Sequence, residues 1–167
     1  IFMRRCLEFK DSEVTLESEL EFTKAYLELQ GARFGDRISY HIYSEVTGEY
    51  MILPLLIQPL VENAFVHGVE ASKGGGRIDI NVYYHNDCVY VDVADNGQGM
   101  NAEKLRELEY KLEVSDTSSG KSIGLTNVHK RIQMYHGKRY GMRVQSKEGQ
   151  GTTIRLVLPR EPKHDKD

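Results

Sequence analysis

The chain has 167 residues, is 40% hydrophobic and 28% charged, and carries a formal charge of −3. That length supports one domain with a core of its own, and the slight acidity excludes a general electrostatic pull toward nucleic acid or anionic lipid. No apolar run approaches the roughly 18 residues of a membrane span and no signal peptide is visible. Cys6 and Cys88 form neither a CxxC pair nor a framework, which makes a reducing cytosol the default.

Thr15 fits an N-cap, with Glu17 and Glu19 near the positive end of the helix that follows. Leu16, Leu20, Thr23 and Leu27 recur at helical spacing with Leu29 beside them, and charged residues fill the other faces. This predicts an amphipathic helix of about four turns, closed by Gly31 and Gly35, that packs on its own domain or docks a partner helix. Residues 37–46 alternate Ile38, Tyr40 and Ile42 with Ser39, His41 and Tyr43, the pattern of a strand, before Thr47 and Gly48 turn the chain. Residues 52–68, ILPLLIQPLVENAFVHG, have the apolar density of a buried helix. It either kinks at Pro59 or starts its regular part near Gln58; Pro54 suits a first turn and Gly68 the end. Residues 70–76 read as a flexible loop.

Residues 77–84 and 88–94 make a hairpin across Asn86 and Asp87, with Ile78, Ile80 and Val82 on one face. Asn101 caps a helix carrying Leu105, Leu108 and Leu112. Residues 114–122 lack periodicity and read as a mobile loop. Leu125, Val128, Ile132 and Tyr135 stripe a further helix, stopped around Gly137. Residues 142–146 and 152–158, with Ile154, Leu156 and Leu158 inward, form a last hairpin, and the charged residues 160–167 a disordered tail. Paired strands separated by helices predict an α/β two-layer sandwich, a mixed, mostly antiparallel sheet covered on one face by helices. No dinucleotide fingerprint follows a strand, no P-loop exists and nothing repeats.

Residues 89–100, VYVDVADNGQGM, organise the rest. Asp95 shares the parity of Val89, Val91 and Val93, so a carboxylate is aimed at the core face, where an unpaired charge is expensive. Asn-Gly is also a hairpin turn signal, and alone the stretch reads equally as a turn or a pocket floor. As a floor, Asp95 would accept from an adenine amine while Gly97 and Gly99 let backbone approach the ring. In ENAFVHG (62–68), Asn63 and His67 are four apart and share a helix face. A neutral amide oxygen suits Mg²⁺ when phosphates supply the negative charge; a satisfied helical polar residue fits Asn63 equally. Glu62 points about a quarter turn away. SSGKSIGLTNV (118–128) is a loop feeding a helix start, either a phosphate site with Lys121 as a point charge or an exposed linker with an incidental cap. The six histidines form no metal-ligand cluster, and no nucleophile–base arrangement is spaced suggestively.

Together these motifs resemble the N, G1 and G2 boxes and final Gly-Thr strand of the GHKL (Bergerat) ATP-binding fold shared by gyrase, Hsp90, MutL and histidine kinases. The wording QPLVENAFVHG and IGLTNVHKRI is most similar to sensor histidine kinases of the LytS/YesM type, and LESELEFTKAYLELQGARFGDRI matches the link preceding the domain in that family. The resemblance implies a helical linker over 1–30, an ATP-binding catalytic domain over 31–160 and a tail over 161–167. It implies ATP and Mg²⁺ as cofactors, with Asn63 as the metal ligand, Asp95 reading adenine, and Gly97 and Gly99 as G1 glycines. Gly124 and Leu125 resemble the phosphate-binding helix start, Thr152 the threonine supporting the adenine site, and residues 101–123 the ATP lid. His67, Gly68, Lys121 and Ser122 join the nucleotide-binding set by position, and Glu62 is the candidate catalytic group.

Three departures qualify the match. Pro59 stands four residues before Asn63, where gyrase-type ATPases hold a catalytic Glu, which favours a kinase over an autonomous hydrolase. Ser122 replaces a usual G2 glycine. No phosphoacceptor His motif precedes the domain, so the acceptor is expected upstream, on a dimerisation helix. The implied function is that of a two-component protein histidine kinase, a transferase moving the γ-phosphoryl of ATP to that histidine and on to a response regulator. The implied partners are its own dimerisation domain, as a homodimer, and the response regulator. No nucleic acid is implied, and the membrane enters only through an N-terminal part of a cytoplasmic, membrane-anchored sensor. Alternatives are a nucleotide-binding module without chemistry of its own and an anti-sigma-factor-type serine kinase of the same fold.

Overall fold

The computed structural model of the chain describes residues 13–114 and 123–161. Thr15 opens helix α1 (Leu16–Phe34) as a cap, its Oγ1 accepting the Ser18 N–H at 3.1 Å. The helix runs 19 residues, longer than its sequence suggests. Gly31 faces open space and is tolerated in the last helical turn; the stop comes at Gly35, which adopts φ 64° and returns its N–H to the Gly31 carbonyl. Leu16, Thr23 and Leu27 are buried as expected, whereas Leu29 is 72% exposed. Two residues beyond Leu27, it has rotated about 200° away from the buried face. Glu19, assigned by pattern to the polar side, is only 5% exposed.

Five strands form the main sheet: β2 (Ile38–Ser44), β4 (Gly76–His85), β5 (Cys88–Asp95), β6 (Gly141–Lys147) and β7 (Gly151–Pro159). Their order is β2-β4-β5-β7-β6, with β2 parallel to β4 and every other pair antiparallel. The register aligns Ile80 with Val93 and Val93 with Ile154, so the inner face is a continuous row of buried branched side chains. On the outer face Arg155 donates to both carboxylate oxygens of Asp92, at 2.7 and 2.8 Å, and lies over the Tyr90 ring. A two-stranded ribbon, β1 (Val14–Thr15) with β3 (Met51–Ile52), is additional, and its strands are too short to show alternation.

Helices α1, α2 (Gln58–Asn63), α3 (Ala102–Val114) and α4 (Ile123–His136) supply the second layer. The two-layer mixed sandwich is therefore the observed architecture. Of the two arrangements open at Pro59, the helix begins at Gln58, with Pro59 in its first turn where no interior hydrogen bond is lost. Gly68 does not end it. The chain continues as a π-helical turn, Ala64–Glu70, in which Phe65 meets Tyr26 and Phe34 of α1 edge-on. Asn101 caps α3 through the Lys104 N–H at 2.9 Å, and Leu108 and Leu112 are buried. Gly137, at φ 106°, follows α4. The disordered-tail expectation lies almost wholly outside the described residues.

Candidate functional site

The end of β5 carries Asp95 between Ile78 of β4 and Thr152 of β7, on the inner face that the valine parity predicts. It is half-buried, and its Oδ1 accepts the Gly97 N–H at 2.9 Å. Burial pushes its carboxyl above the usual range, opposed by the Gly97 and Thr152 amides and by the charge of His67. A Cβ on Gly68 would lie 2.5 Å from the Asp95 Cγ and Oδ1, and one on Gly97 would overlap the Gly68 backbone. Glycine at 68 thus serves the close approach of the π-helical turn to the Asp95 loop, not helix termination. A carboxylate has about four acceptor positions, so Asp95 keeps capacity beyond its bond to Gly97.

The loop after Asp95 is braced from below. Gly99 takes φ 65° against the Lys147 carbonyl, and Gly151 takes φ 89° against the Asp95 carbonyl. The Ser146 hydroxyl sits 2.8 Å from the Thr152 Oγ1 and accepts the Met100 N–H at 2.7 Å. Thr152 lies directly across from Asp95 and shares its hydroxyl with Ser146. Ser146 was not among the candidates, though its parity with Met142 and Val144 marks an inward polar group at a strand end. Asn96 is tied elsewhere, its Oδ1 accepting the Arg77 N–H at 2.7 Å.

Asn63, at the last position of α2, is half-buried, and its side chain makes no hydrogen bond among the described residues. Its amide oxygen is available to a ligand. His67 is exposed one π-helical turn on, a geometry found often at functional sites. The Glu62 carboxylate accepts from Gln58 Nε2 at 3.2 Å. Gly124, the second residue of α4, is exposed, and the nearest group to an added Cβ would be Pro59 Cβ at 3.9 Å. Leu125 turns inward at 7% exposure and anchors that helix start in the core. Lys121, Ser122 and most of the mobile-loop expectation lie outside the described residues.

The structure thus gathers Asp95, Gly97, Gly68 and His67, with Asn63 earlier on the same helical stretch and Gly124 beside the start of α2. Among the described residues no three His, Cys, Asp or Glu side chains could hold a metal by themselves. A cation here would depend on Asn63 together with ligand oxygens, which suits a phosphate-bound Mg²⁺. A groove of about 510 Å³ between α1 and β2 is lined by Leu16, Leu20 and Tyr40 among others, away from Asp95. The half-buried acceptor and the side-chain-free approach, rather than volume, make this the candidate site.

Residues 49–162 match the family described as histidine kinase-, DNA gyrase B-, and HSP90-like ATPase, and residues 1–38 match that described as histidine kinase. The chain belongs to the first family and is homologous to the catalytic domains of sensor histidine kinases. It is 36% identical to sensor histidine kinase YpdA of Escherichia coli over 95% of this chain and 27% of that protein. It is 33% identical to sensor protein LytS of Staphylococcus epidermidis over 90% of this chain and 25% of that protein. Sensor histidine kinase YesM of Bacillus subtilis is 29% identical over 94% of this chain and 26% of that protein. The chain therefore spans about a quarter of the length of these relatives. Among solved structures, a nucleotide-free catalytic domain of histidine kinase ThkA aligns with TM-score 0.67 at 19% identity, covering 90% of this chain and 98% of that one. ThkA in complex with response regulator TrrA aligns with TM-score 0.65 at 17% identity, covering 96% and 46%. At such identities these two show the fold alone. The family is an ATPase family, which supports ATP as the nucleotide, and no helix among the described residues is long and apolar enough to cross a membrane.

Proposed function

We propose that this chain is the ATP-binding catalytic part of a two-component sensor histidine kinase, passing the ATP γ-phosphoryl to a histidine on its dimerisation region for relay to a response regulator. One observation carries the site assignment: a half-buried Asp95 carboxylate with acceptor capacity to spare, approached by glycines at 68 and 97. Asp95 would take the adenine amine, with backbone at Gly97 and Gly99 close to the ring. Asn63 would hold Mg²⁺ through its amide oxygen, and the ion would neutralise triphosphate charge. Exposed N–H groups at Gly124 would face phosphate, with Leu125 fixing that helix start. His67, Lys121 and Ser122 complete the nucleotide-binding set, Thr152 with Ser146 supports the Asp95 floor, and Glu62 is the side chain available for proton handling at the acceptor.

Pro59 in the first turn of α2 leaves no carboxylate where an autonomous hydrolase would place its base, so the chemistry rests on positioning and charge neutralisation. The match of residues 1–38 to the histidine kinase family supports residues 1–30 as a link from a dimerisation region into a catalytic domain over 31–160. The ThkA–TrrA complex supports a response regulator as partner, and the sensor relatives, of which this chain spans about a quarter, support a place in a larger sensor protein, for which we propose a membrane-anchored homodimer with this part in the cytoplasm.

The test is phosphoryl transfer from γ-labelled ATP, catalysed by this chain, to the dimerisation region of the intact protein supplied separately. Labelled phosphohistidine is the expected product. Nucleotide binding without transfer would replace the kinase reading by that of a binding module.

A further inference from the structure

Residues 53–57, which lead into α2, are held from two other helices. Glu19 of α1 is 5% exposed, and its carboxylate accepts the Leu55 N–H at 2.6 Å and the Ile57 N–H at 3.4 Å. Arg131 of α4 donates through Nη2 to the Pro54 carbonyl at 2.7 Å. Between these two grips Leu55 adopts φ 58°, a left-handed conformation shared with only one other non-glycine among the described residues, Asn86 in a tight turn. A leucine in that region is strained, and such strain persists only where the surroundings impose it. Ile57, the N-cap of α2, also offers the helix no side-chain cap. Glu19 therefore supplies from another helix a negative charge beside that start and an acceptor for the Ile57 N–H.

Burying a carboxylate is costly even when it is hydrogen-bonded. Burial raises the Glu19 carboxyl above its usual range, against the pull of the Leu55, Ile57 and Leu56 amides and, at longer range, Arg131. A Leu or Met at position 19 would satisfy the helix pattern without that penalty. What the carboxylate adds is a fixed relation between α1 and the strained turn. From that turn α2 runs six residues to Asn63, while α4, gripping its other side, begins at Ile123 and Gly124.

We propose that Glu19 is a positioning residue: held on the linker helix, it locks the Pro54–Leu55–Ile57 turn so that the placement of Asn63, and with it metal-dependent nucleotide binding, follows the position of α1. This rests on the nucleotide reading above, because it concerns the Asn63 end of that site. It reaches no further than Asn63 and α4; Asp95 is carried by β5, which Glu19 does not touch.

The experiment compares the parent chain with Glu19→Gln, which keeps size and one acceptor, and Glu19→Asp, which keeps charge but shortens its reach. Affinity for ATP with Mg²⁺, ATP with chelator and metal-free ADP is measured by calorimetry, beside thermal melting. Both variants are expected to lose about tenfold in the Mg²⁺-dependent gain in ATP affinity, with metal-free ADP affinity within about twofold of the parent. Leu55→Gly removes the need for an imposed left-handed turn, so Glu19→Gln with Leu55→Gly should recover most of the lost gain. An unchanged Mg²⁺-dependent gain in the folded single variants overturns the proposal. So does a parallel fall of all three affinities, or a double variant no better than Glu19→Gln. If Glu19→Gln fails to fold, Glu19→Asp gives the same decision. A parent chain that binds no nucleotide would sink the functional reading itself, an outcome separate from these.

Discussion

Replacing Asp95 by Asn changes one atom of the proposed adenine floor and leaves the side-chain volume intact, so fold and ligand recognition should respond in opposite directions. The Asn Oδ1 can still accept the Gly97 N–H, now 2.9 Å from the carboxylate oxygen. The desolvation that raises the Asp95 carboxyl in the folded chain disappears with the charge. The variant should therefore melt at or above the parent temperature at pH 7. Because the folded Asp95 carboxyl lies above its unfolded value of 3.8, the parent gains stability on acidification from that raised value down to 3.8. The melting advantage of the variant should shrink over that window. Ligand affinity moves the other way, since a hydrogen bond to a charged acceptor contributes about 1.5–3 kcal/mol, roughly 10- to 150-fold in the dissociation constant. ATP titration and thermal melting of both proteins decide the matter. Parent-like ATP affinity in Asp95→Asn, or a lower melting temperature at pH 7 with unchanged affinity, would refute the assignment of the adenine floor.

Other outcomes follow from the same geometry. Gly68→Ala drives a Cβ to 2.5 Å from the Asp95 carboxyl and should cost about 1–3 kcal/mol with loss of ATP binding, whereas Gly124→Ala, 3.9 Å from its nearest neighbour, should gain up to about 1 kcal/mol in melting experiments. Asn63→Ala should weaken ATP binding only when Mg²⁺ is present; equal loss under chelation would remove Asn63 from the metal. His129 is 8% exposed and accepts the Met142 N–H at 2.9 Å, and burial holds its pKa below 6.5. Stability linked to it is complete above pH 6.5 and falls as acid protonates the unfolded chain, so His129→Gln should flatten the melting curve against pH below 6.5. Arg155→Gln strips Asp92 of its two-point partner on the outer face and should cost about 1 kcal/mol while leaving ATP affinity alone, read by melting and titration together.

How much of this was legible in the sequence depended on the range of the forces involved. Alternation in β5 placed Asp95 inward because a strand has only two faces, and the glycines after it marked a close approach of backbone. The same logic sorted β2, β4, β6 and β7, and apolar stripes found α3 and α4. Helical periodicity failed at Glu19 because a pattern treats every charge as solvated, and only the amides of residues 55 and 57, brought in by the tertiary fold, make its burial tolerable. Gly68 looked like a helix stop because local sequence cannot show that the Asp95 loop lies against it. Leu55 gave no signal at all: nothing in a run of aliphatic residues announces a left-handed backbone.

The central claim, an adenine site floored by Asp95, is tested most directly by titrating the parent chain with Mg²⁺ complexes of ATP and GTP. Adenine presents an amine where guanine presents a carbonyl oxygen, which the Asp95 carboxylate would oppose. ATP should bind at least about a hundredfold more tightly than GTP. Equal affinities for the two nucleotides would contradict the account.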